Sequence, residues 1–134
     1  MTAVPKDLLH RARRAVLAAC LTLWVAAFVI THTPRHKLPG PKLLHDNELH
    51  GLGYFVLTSA FWLTLAAYRV PPRRRAGWTI VVLAAYALLD EITQPLAGRQ
   101  TDVFDWLADM AGVILAAAVC KGTEILHALR RHEP

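Results

Sequence analysis

Carboxylates, lysine and arginine are almost absent from four long stretches of the sequence, residues 15–30, 49–68, 78–89 and 106–120. Asp109 is the single exception among them. A soluble four-helix bundle would carry a polar stripe along every helix, and these stretches have none. With its flanking residues, each stretch approaches the ~20 residues needed to cross the hydrocarbon core of a bilayer. We therefore predict an all-α membrane protein, a bundle of four transmembrane helices.

Patterns typical of several other protein classes are also missing. The two cysteines, Cys20 and Cys120, have no CxxC spacing and no neighbouring histidine, so we interpret them as small buried apolar residues. No small-x-small cleavage site follows the first apolar stretch, which favours a retained anchor over a signal peptide. No serine or cysteine nucleophile lies beside a candidate base, so covalent catalysis has no sequence support. The sequence contains no internal repeat.

Basic residues are distributed unevenly between the loops. Of the 15 lysines and arginines, 11 lie before span one, between spans two and three, or after span four, and 4 lie in the other two loops. The positive-inside rule therefore predicts that both termini and the second loop are cytoplasmic. The net charge of +5 is explained by this placement, and we expect no nucleic-acid partner. The arginine run at residues 73–75 could also contact anionic lipid headgroups.

The chain has room for one domain. We place a four-span membrane domain at residues 15–126, between a basic cytoplasmic leader at residues 1–14 and a cytoplasmic tail at residues 127–134. Span one is predicted at residues 15–31. Prolines then favour an irregular external loop as far as residue 45.

Capping residues and prolines delimit the other three spans. Asp46 or Asn47 is expected to cap span two, because their side chains accept the free backbone amides of a helix start. Asp105 or a neighbour is expected to cap span four, which we predict to fray after Cys120. Together with the prolines, these signals bound spans two, three and four at residues 46–69, 77–94 and 105–120.

Polar side chains that interrupt the apolar pattern gather at the external ends of the spans. His50 and Tyr54 are four residues apart in the first turns of span two, so they share a helix face. Carboxylates inside a membrane boundary are costly and normally face the interior of a bundle or a water-filled cavity. We therefore predict one connected polar cluster near the external interface, formed by His50, Tyr54, Asp90, Glu91, Gln94, Arg99, Asp102, Asp105 and Asp109.

These polar residues fall in four short blocks with specific spacings. Residues 46–54 read DNELHGLGY, residues 90–94 read DEITQ, a Gly-Arg pair at 98–99 precedes Asp102, and residues 105–112 read DWLADMAG. In combination they resemble the VanZ-like family of small bacterial membrane proteins. That family has an Asp-Lys-x-x-His-x-x-x-Tyr block, a Glu-x-x-Gln block, a Gly-Arg turn, a spaced Asp pair and an Asp-x-x-x-Asn-x-x-Gly block.

The resemblance covers residues 15–120, with two departures. Asn47 stands where the family usually has lysine, and Asp109 stands where it usually has asparagine, so both changes make the site more acidic. The resemblance implies a multi-pass protein of the bacterial plasma membrane that acts in the cell envelope. The founding member is associated with reduced susceptibility to teicoplanin. The resemblance implies no catalytic activity.

Three classes of function are compatible with the cluster. The first is a protein that binds or remodels a lipid, a lipid-linked glycan precursor or a glycopeptide at the outer leaflet. Here Arg99 suits a phosphate or carboxylate of the ligand. The second is a small intramembrane enzyme that uses acid–base chemistry or a metal. Its candidate catalytic residues are His50, Asp90 and Glu91.

A divalent cation such as Mg²⁺, Ca²⁺ or Mn²⁺ would suit clustered carboxylates beside one histidine. The candidate metal ligands are Glu91, Asp102, Asp105 and Asp109.

The third class is a structural or partner-binding subunit, in which the polar network only holds the helices together. A channel or transporter is disfavoured, because the polar groups lie at one end and leave the cytoplasmic half without a pathway.

Overall fold

The computed structural model of the protein describes residues 5–37 and 45–131. Four helices dominate it, with 3₁₀ turns at Arg35–Lys37 and Gln94–Ala97. The helices are α1 (Lys6–Thr31), α2 (Asp46–Ala67), α3 (Pro72–Thr93) and α4 (Val103–Arg130). All four are long and apolar enough to cross a membrane, and no strand occurs in the described ranges. The predicted all-α fold with four transmembrane helices is confirmed.

Three helices extend further than their hydropathy predicts, all toward the predicted cytoplasmic side. α1 begins at Lys6, so most of the basic leader belongs to its first turns. α3 begins at Pro72, a position where the missing backbone donor costs nothing. α4 continues to Arg130, so the prediction that it frays after Cys120 was wrong. The added turns are rich in arginine, lysine, leucine and alanine, which favour helix whether or not they lie in lipid.

The α2 cap differs from the predicted one, and the α4 cap is a neighbour of Asp105. His45, rather than Asp46 or Asn47, precedes α2, and its backbone N–H donates to the Glu48 carboxylate over 2.9 Å. α4 is capped by Asp102: the Asp102 side chain accepts the Phe104 backbone N–H at 2.8 Å. Asp46 and Asp105 thus lie inside their helices, where their carboxylates serve other contacts.

Glycines let α2 and α4 approach each other closely. A Cβ on Gly112 of α4 would overlap the carbonyl oxygen of Gly51 and stand 3.0 Å from the backbone nitrogen of Phe55. Small residues at such crossings allow the backbones of membrane helices to pack together. Because His50 precedes Gly51 and Asp109 lies one turn before Gly112, the same contact brings their side chains together.

The apolar core lies just below this crossing, with Tyr54, Leu57, Leu83, Ala87 and Val113 at its centre. α1 is more peripheral, and Cys20 is its one fully buried residue. Its main aromatic contact is the Trp24 ring, whose centroid lies 4.7 Å from that of Tyr86 on α3. The main packing partner of α1 is α2, where the Trp24 ring also lies 5.9 Å from the Phe61 ring.

The opposite end of the bundle is held by a smaller polar contact. Glu124 on α4 accepts a hydrogen bond from the Trp62 indole at 2.9 Å and forms an ion pair with Arg75 on α3. This contact ties α2, α3 and α4 together at the predicted cytoplasmic end.

Candidate functional site

The centre of the candidate site is a buried histidine between two carboxylates. His50 on α2 places its Nδ1 atom 3.0 Å from Asp109 Oδ1, and its Nε2 atom 3.8 Å from Asp105 Oδ2. Asp105 and Asp109 are four residues apart and so share one face of α4. His50 is 4% exposed and Asp109 is fully buried. The imidazole therefore bridges α2 to α4 on both of its edges.

Glu91 contributes a side chain from a third helix, α3, to this centre. Its carboxylate accepts the Asp102 backbone N–H at 3.1 Å, while its own carbonyl accepts the Thr101 hydroxyl at 3.1 Å. Gln94 donates from its amide nitrogen to Glu91 Oε1 at 3.3 Å and to Asp90 Oδ2 at 3.4 Å. Glu91 thus also fixes the turn that leads from α3 into α4.

Asp90 faces the end of α1 rather than the histidine at the centre. It accepts a hydrogen bond from the Thr31 hydroxyl at 2.8 Å, and His32 Nδ1 lies 3.6 Å away. The other nitrogen of His32 lies 2.9 Å from the Thr93 hydroxyl. Sequence reasoning missed Thr31, His32 and Thr93, although their position at the predicted external ends of α1 and α3 was a usable signal.

Arg99 lies at the mouth of the site, in the turn between α3 and α4. Its guanidinium donates to Asp46 Oδ2 at 2.5 Å and to the Thr33 backbone carbonyl at 3.3 Å. Gly98, whose φ of 76° is one that glycine adopts without strain, turns the chain just before it. Asp102, three residues further on, is exposed and caps α4. Asp46 was not predicted as a site residue, because an aspartate at the start of a helix usually caps that helix.

A groove between α1 and α2 leads to this polar region. Its volume is about 300 Å³. Most of its wall is aliphatic, from Leu23, Ala26, Ala27 and Ile30 on α1 and from Leu49, Leu52, Gly53, Val56 and Leu57 on α2. Its polar end is formed by Thr31, Asp46, His50, Tyr54 and Arg99. The groove therefore joins an apolar surface to the candidate site.

Ligating atoms from three helices converge at the centre. His50, Glu91 and Asp109 each offer one atom, and these atoms lie within 4.8 Å of one another. Among the described residues, several nearby buried oxygens have no hydrogen-bond partner: Tyr54 Oη, Gln94 Oε1, Asp105 Oδ1 and Asp109 Oδ2. Of the four metal-ligand candidates from the sequence, Glu91 and Asp109 lie in this group and Asp105 adjoins it. Asp102 is outside it, because it is exposed at the start of α4.

Seven of the nine predicted site residues are buried in one region, at the end of the bundle where α2 and α4 begin and α3 ends: His50, Tyr54, Asp90, Glu91, Gln94, Asp105 and Asp109. Arg99 lies at the mouth of this region, and the carboxylate of Asp102 points away into a helix cap. We call this region the polar centre.

The fold and the polar centre define a class of protein: a multi-pass membrane protein of four helices with ionisable groups packed between them near one end. A model of the VanZ/LLP1 family matches residues 15–127, which is most of the chain. The chain therefore belongs to the VanZ/LLP1 family, and the resemblance drawn from its motifs is confirmed. Neither a curated protein nor a solved structure matches it significantly.

Proposed function

We propose that this protein binds a lipid-linked phosphate of the bacterial cell envelope from the outer leaflet of the plasma membrane. The apolar chain of the ligand lies in the groove between α1 and α2, and its headgroup lies at the polar centre. One observation carries the proposal: the aliphatic groove ends at Arg99 and at His50, whose ring contacts the buried carboxylate of Asp109. A groove of this size with a few converging polar groups is the usual form of a small-molecule site.

The charges at the polar end favour a phosphate with hydroxyl or amine groups attached. Arg99 lines the groove and carries a planar guanidinium, which suits the oxygens of a phosphate. Asp105 and Asp109 adjoin His50, which lines the groove, and ionised carboxylates accept hydrogen bonds from hydroxyls and amines. A sugar phosphate on a lipid carrier presents both kinds of group in one headgroup.

The loop charges support an external position for the polar centre. His50 and Asp109 lie near the starts of α2 and α4, and Glu91 near the end of α3, so all three belong to the same end of the bundle. The positive-inside rule assigns that end to the outside and both termini to the cytoplasm. The ligand is then a molecule of the outer leaflet. On this proposal, binding of that molecule links the protein to a glycopeptide response.

An intramembrane enzyme is the second candidate, and the hydrogen bond between His50 and Asp109 favours it. A carboxylate on one edge of an imidazole fixes the tautomer and orientation of the ring, as a general base requires. On this proposal the bound headgroup is also the substrate, and His50 accepts a proton from the headgroup.

Photolabelling of the full chain in lipid nanodiscs tests the binding proposal. The probe is a polyprenyl phosphate with a photoreactive group in its chain, and the matching polyprenol without phosphate is the headgroup control. Gly53 lines the groove, and a Cβ on it meets no atom within 4 Å, so Gly53→Leu adds a side chain at the groove without a clash at its Cβ. Gly122→Leu is the matched control, because Gly122 is equally open but lies outside the groove.

We expect the phosphate probe to label the wild type and the Gly122→Leu variant, and Gly53→Leu to reduce labelling at least about tenfold. Arg99→Ala should remove the preference for the phosphate over the alcohol. Equal labelling of both glycine variants would contradict a ligand in the groove. Equal labelling by both probes would contradict recognition of the phosphate.

A further inference from the structure

We infer that the polar centre holds a divalent transition-metal ion, with His50, Glu91 and Asp109 as ligands. The three residues come from α2, α3 and α4, and all are buried. Their ligating atoms lie within 4.8 Å of one another. This inference does not depend on the identity of any lipid, and it replaces the all-carboxylate ligand set suggested by the sequence.

The distance between His50 and Asp109 fits two neighbouring ligands of one ion. Metal–ligand bonds of about 2.1 Å at right angles place adjacent ligand atoms about 3 Å apart. His50 Nδ1 and Asp109 Oδ1 are 3.0 Å apart. Glu91 is held from behind by the Asp102 backbone N–H and the Gln94 amide, contacts typical of groups that orient a metal ligand.

A second observation points to a ligand: buried oxygens around the centre lack donors. Asp109 is fully buried, yet its Oδ2 atom has no hydrogen-bond partner among the described residues. The same holds for Asp105 Oδ1 and for Gln94 Oε1, whose amide nitrogen is already engaged by Glu91 and Asp90. Buried acceptors without a donor are costly, and a bound cation satisfies them.

The local charge is also unbalanced. Four carboxylates are buried here, those of Asp90, Glu91, Asp105 and Asp109. Within the described ranges, the basic side chains that face them are the imidazoles of His50 and His32, which carry a charge only when protonated, while Arg99 is engaged with Asp46 at the mouth. Uncompensated charge is expensive at membrane depth. A doubly charged ion offsets two of the carboxylates.

The donor set selects among cations. Mg²⁺ and Ca²⁺ prefer oxygen ligands alone, whereas an imidazole nitrogen with carboxylate oxygens suits Mn²⁺, Fe²⁺ or Zn²⁺. The expected ion is therefore a first-row transition metal, and Mn²⁺ and Zn²⁺ are the practical probes.

Metal analysis of the full chain tests the inference without any lipid substrate. The protein is purified in detergent with a tag that contains no histidine, stripped with a chelator, and equilibrated with Mn²⁺ or Zn²⁺ alone. The test variants are Asp109→Asn, which keeps the shape of the side chain, and His50→Gln. Asp102→Asn is the matched control, since asparagine also caps a helix and Asp102 lies outside the ligand set.

We expect one ion per chain in the wild type and in Asp102→Asn, and affinity about tenfold or more lower in the two test variants. The ion should also raise the melting temperature of the wild type but not that of Asp109→Asn, provided circular dichroism shows that both are helical. Failure of the wild type to bind either ion would overturn the inference, as would unchanged binding by Asp109→Asn. If neither ion changes the melting temperature of the wild type, the contact between His50 and Asp109 is an ion pair rather than part of a metal site.

Discussion

Gly112 on α4 lies directly against the carbonyl oxygen of Gly51 on α2, and a Cβ at position 112 would overlap that oxygen. The contact leaves room for no side chain, and it sets the distance at which His50 meets Asp109. The packing of the helices and the geometry of the polar centre therefore depend on the same pair of glycines.

Gly112→Ala should destabilise the bundle, because the new methyl group forces α2 and α4 apart. We expect a loss of about 2 kcal/mol or more in the free energy of unfolding, as for other overpacked interiors. Thermal unfolding in detergent measures it. Gly122→Ala is the control and should be neutral or slightly stabilising, since its Cβ would meet no atom within 4 Å and alanine favours helix. Equal melting temperatures for the two variants would contradict the close approach at Gly112.

Trp62→Phe should lower stability without affecting ligand binding. The change removes the indole donor to Glu124 but leaves the ion pair with Arg75 in place. We expect a loss of about 1 kcal/mol, the typical net contribution of one hydrogen bond. Labelling by the polyprenyl phosphate probe should be unchanged, because the contact lies at the other end of the bundle. Lost labelling with unchanged stability would contradict this division between the two ends.

Glu91→Gln and Arg99→Ala should abolish function while the protein still inserts and folds. Glutamine keeps an oxygen that can accept the Asp102 backbone N–H, but it loses the charge required for acid–base work or ion binding. The measurements are melting temperature in detergent and glycopeptide susceptibility of cells that express each variant. If the cluster were only structural, loss of one buried charged partner would cost about 3–5 kcal/mol, and activity would fall in proportion to stability.

Cysteine labelling tests the orientation in the membrane. In a background with Cys20 and Cys120 replaced by alanine, Lys37→Cys and Gln100→Cys should react with an impermeant reagent on intact cells. Arg74→Cys should react only after the membrane is opened. The reverse pattern would place the polar centre on the cytoplasmic side, where it could not bind an outer-leaflet ligand.

Helical spacing predicted which side chains share a face, and the depth of Asp90, Glu91 and Asp109 along their helices predicted that they meet at one level. Partners across helices could not be predicted in the same way. They depend on how far each helix is rotated, and the contact between Gly51 and Gly112 sets that rotation for α2 and α4. The sequence alone therefore does not reveal that His50 meets Asp109 while Asp90 meets Thr31.

Capping preferences did not determine the roles of two aspartates. Asp46 has the residue type and position of a cap, yet its carboxylate binds Arg99, which is far away in sequence. Asp105 adjoins His50 because Asp102 already caps α4. Local preferences of this kind identify residues that can cap a helix but not which of them a tertiary contact will recruit.

Native mass spectrometry of the protein released directly from its own membranes tests the central claim most directly. The account predicts a retained lipid-linked phosphate on the wild type and on the Gly122→Leu variant, and its absence from Gly53→Leu and Arg99→Ala. Retention of ordinary phospholipids alone, in equal amounts on all four proteins, would contradict a specific ligand at the polar centre.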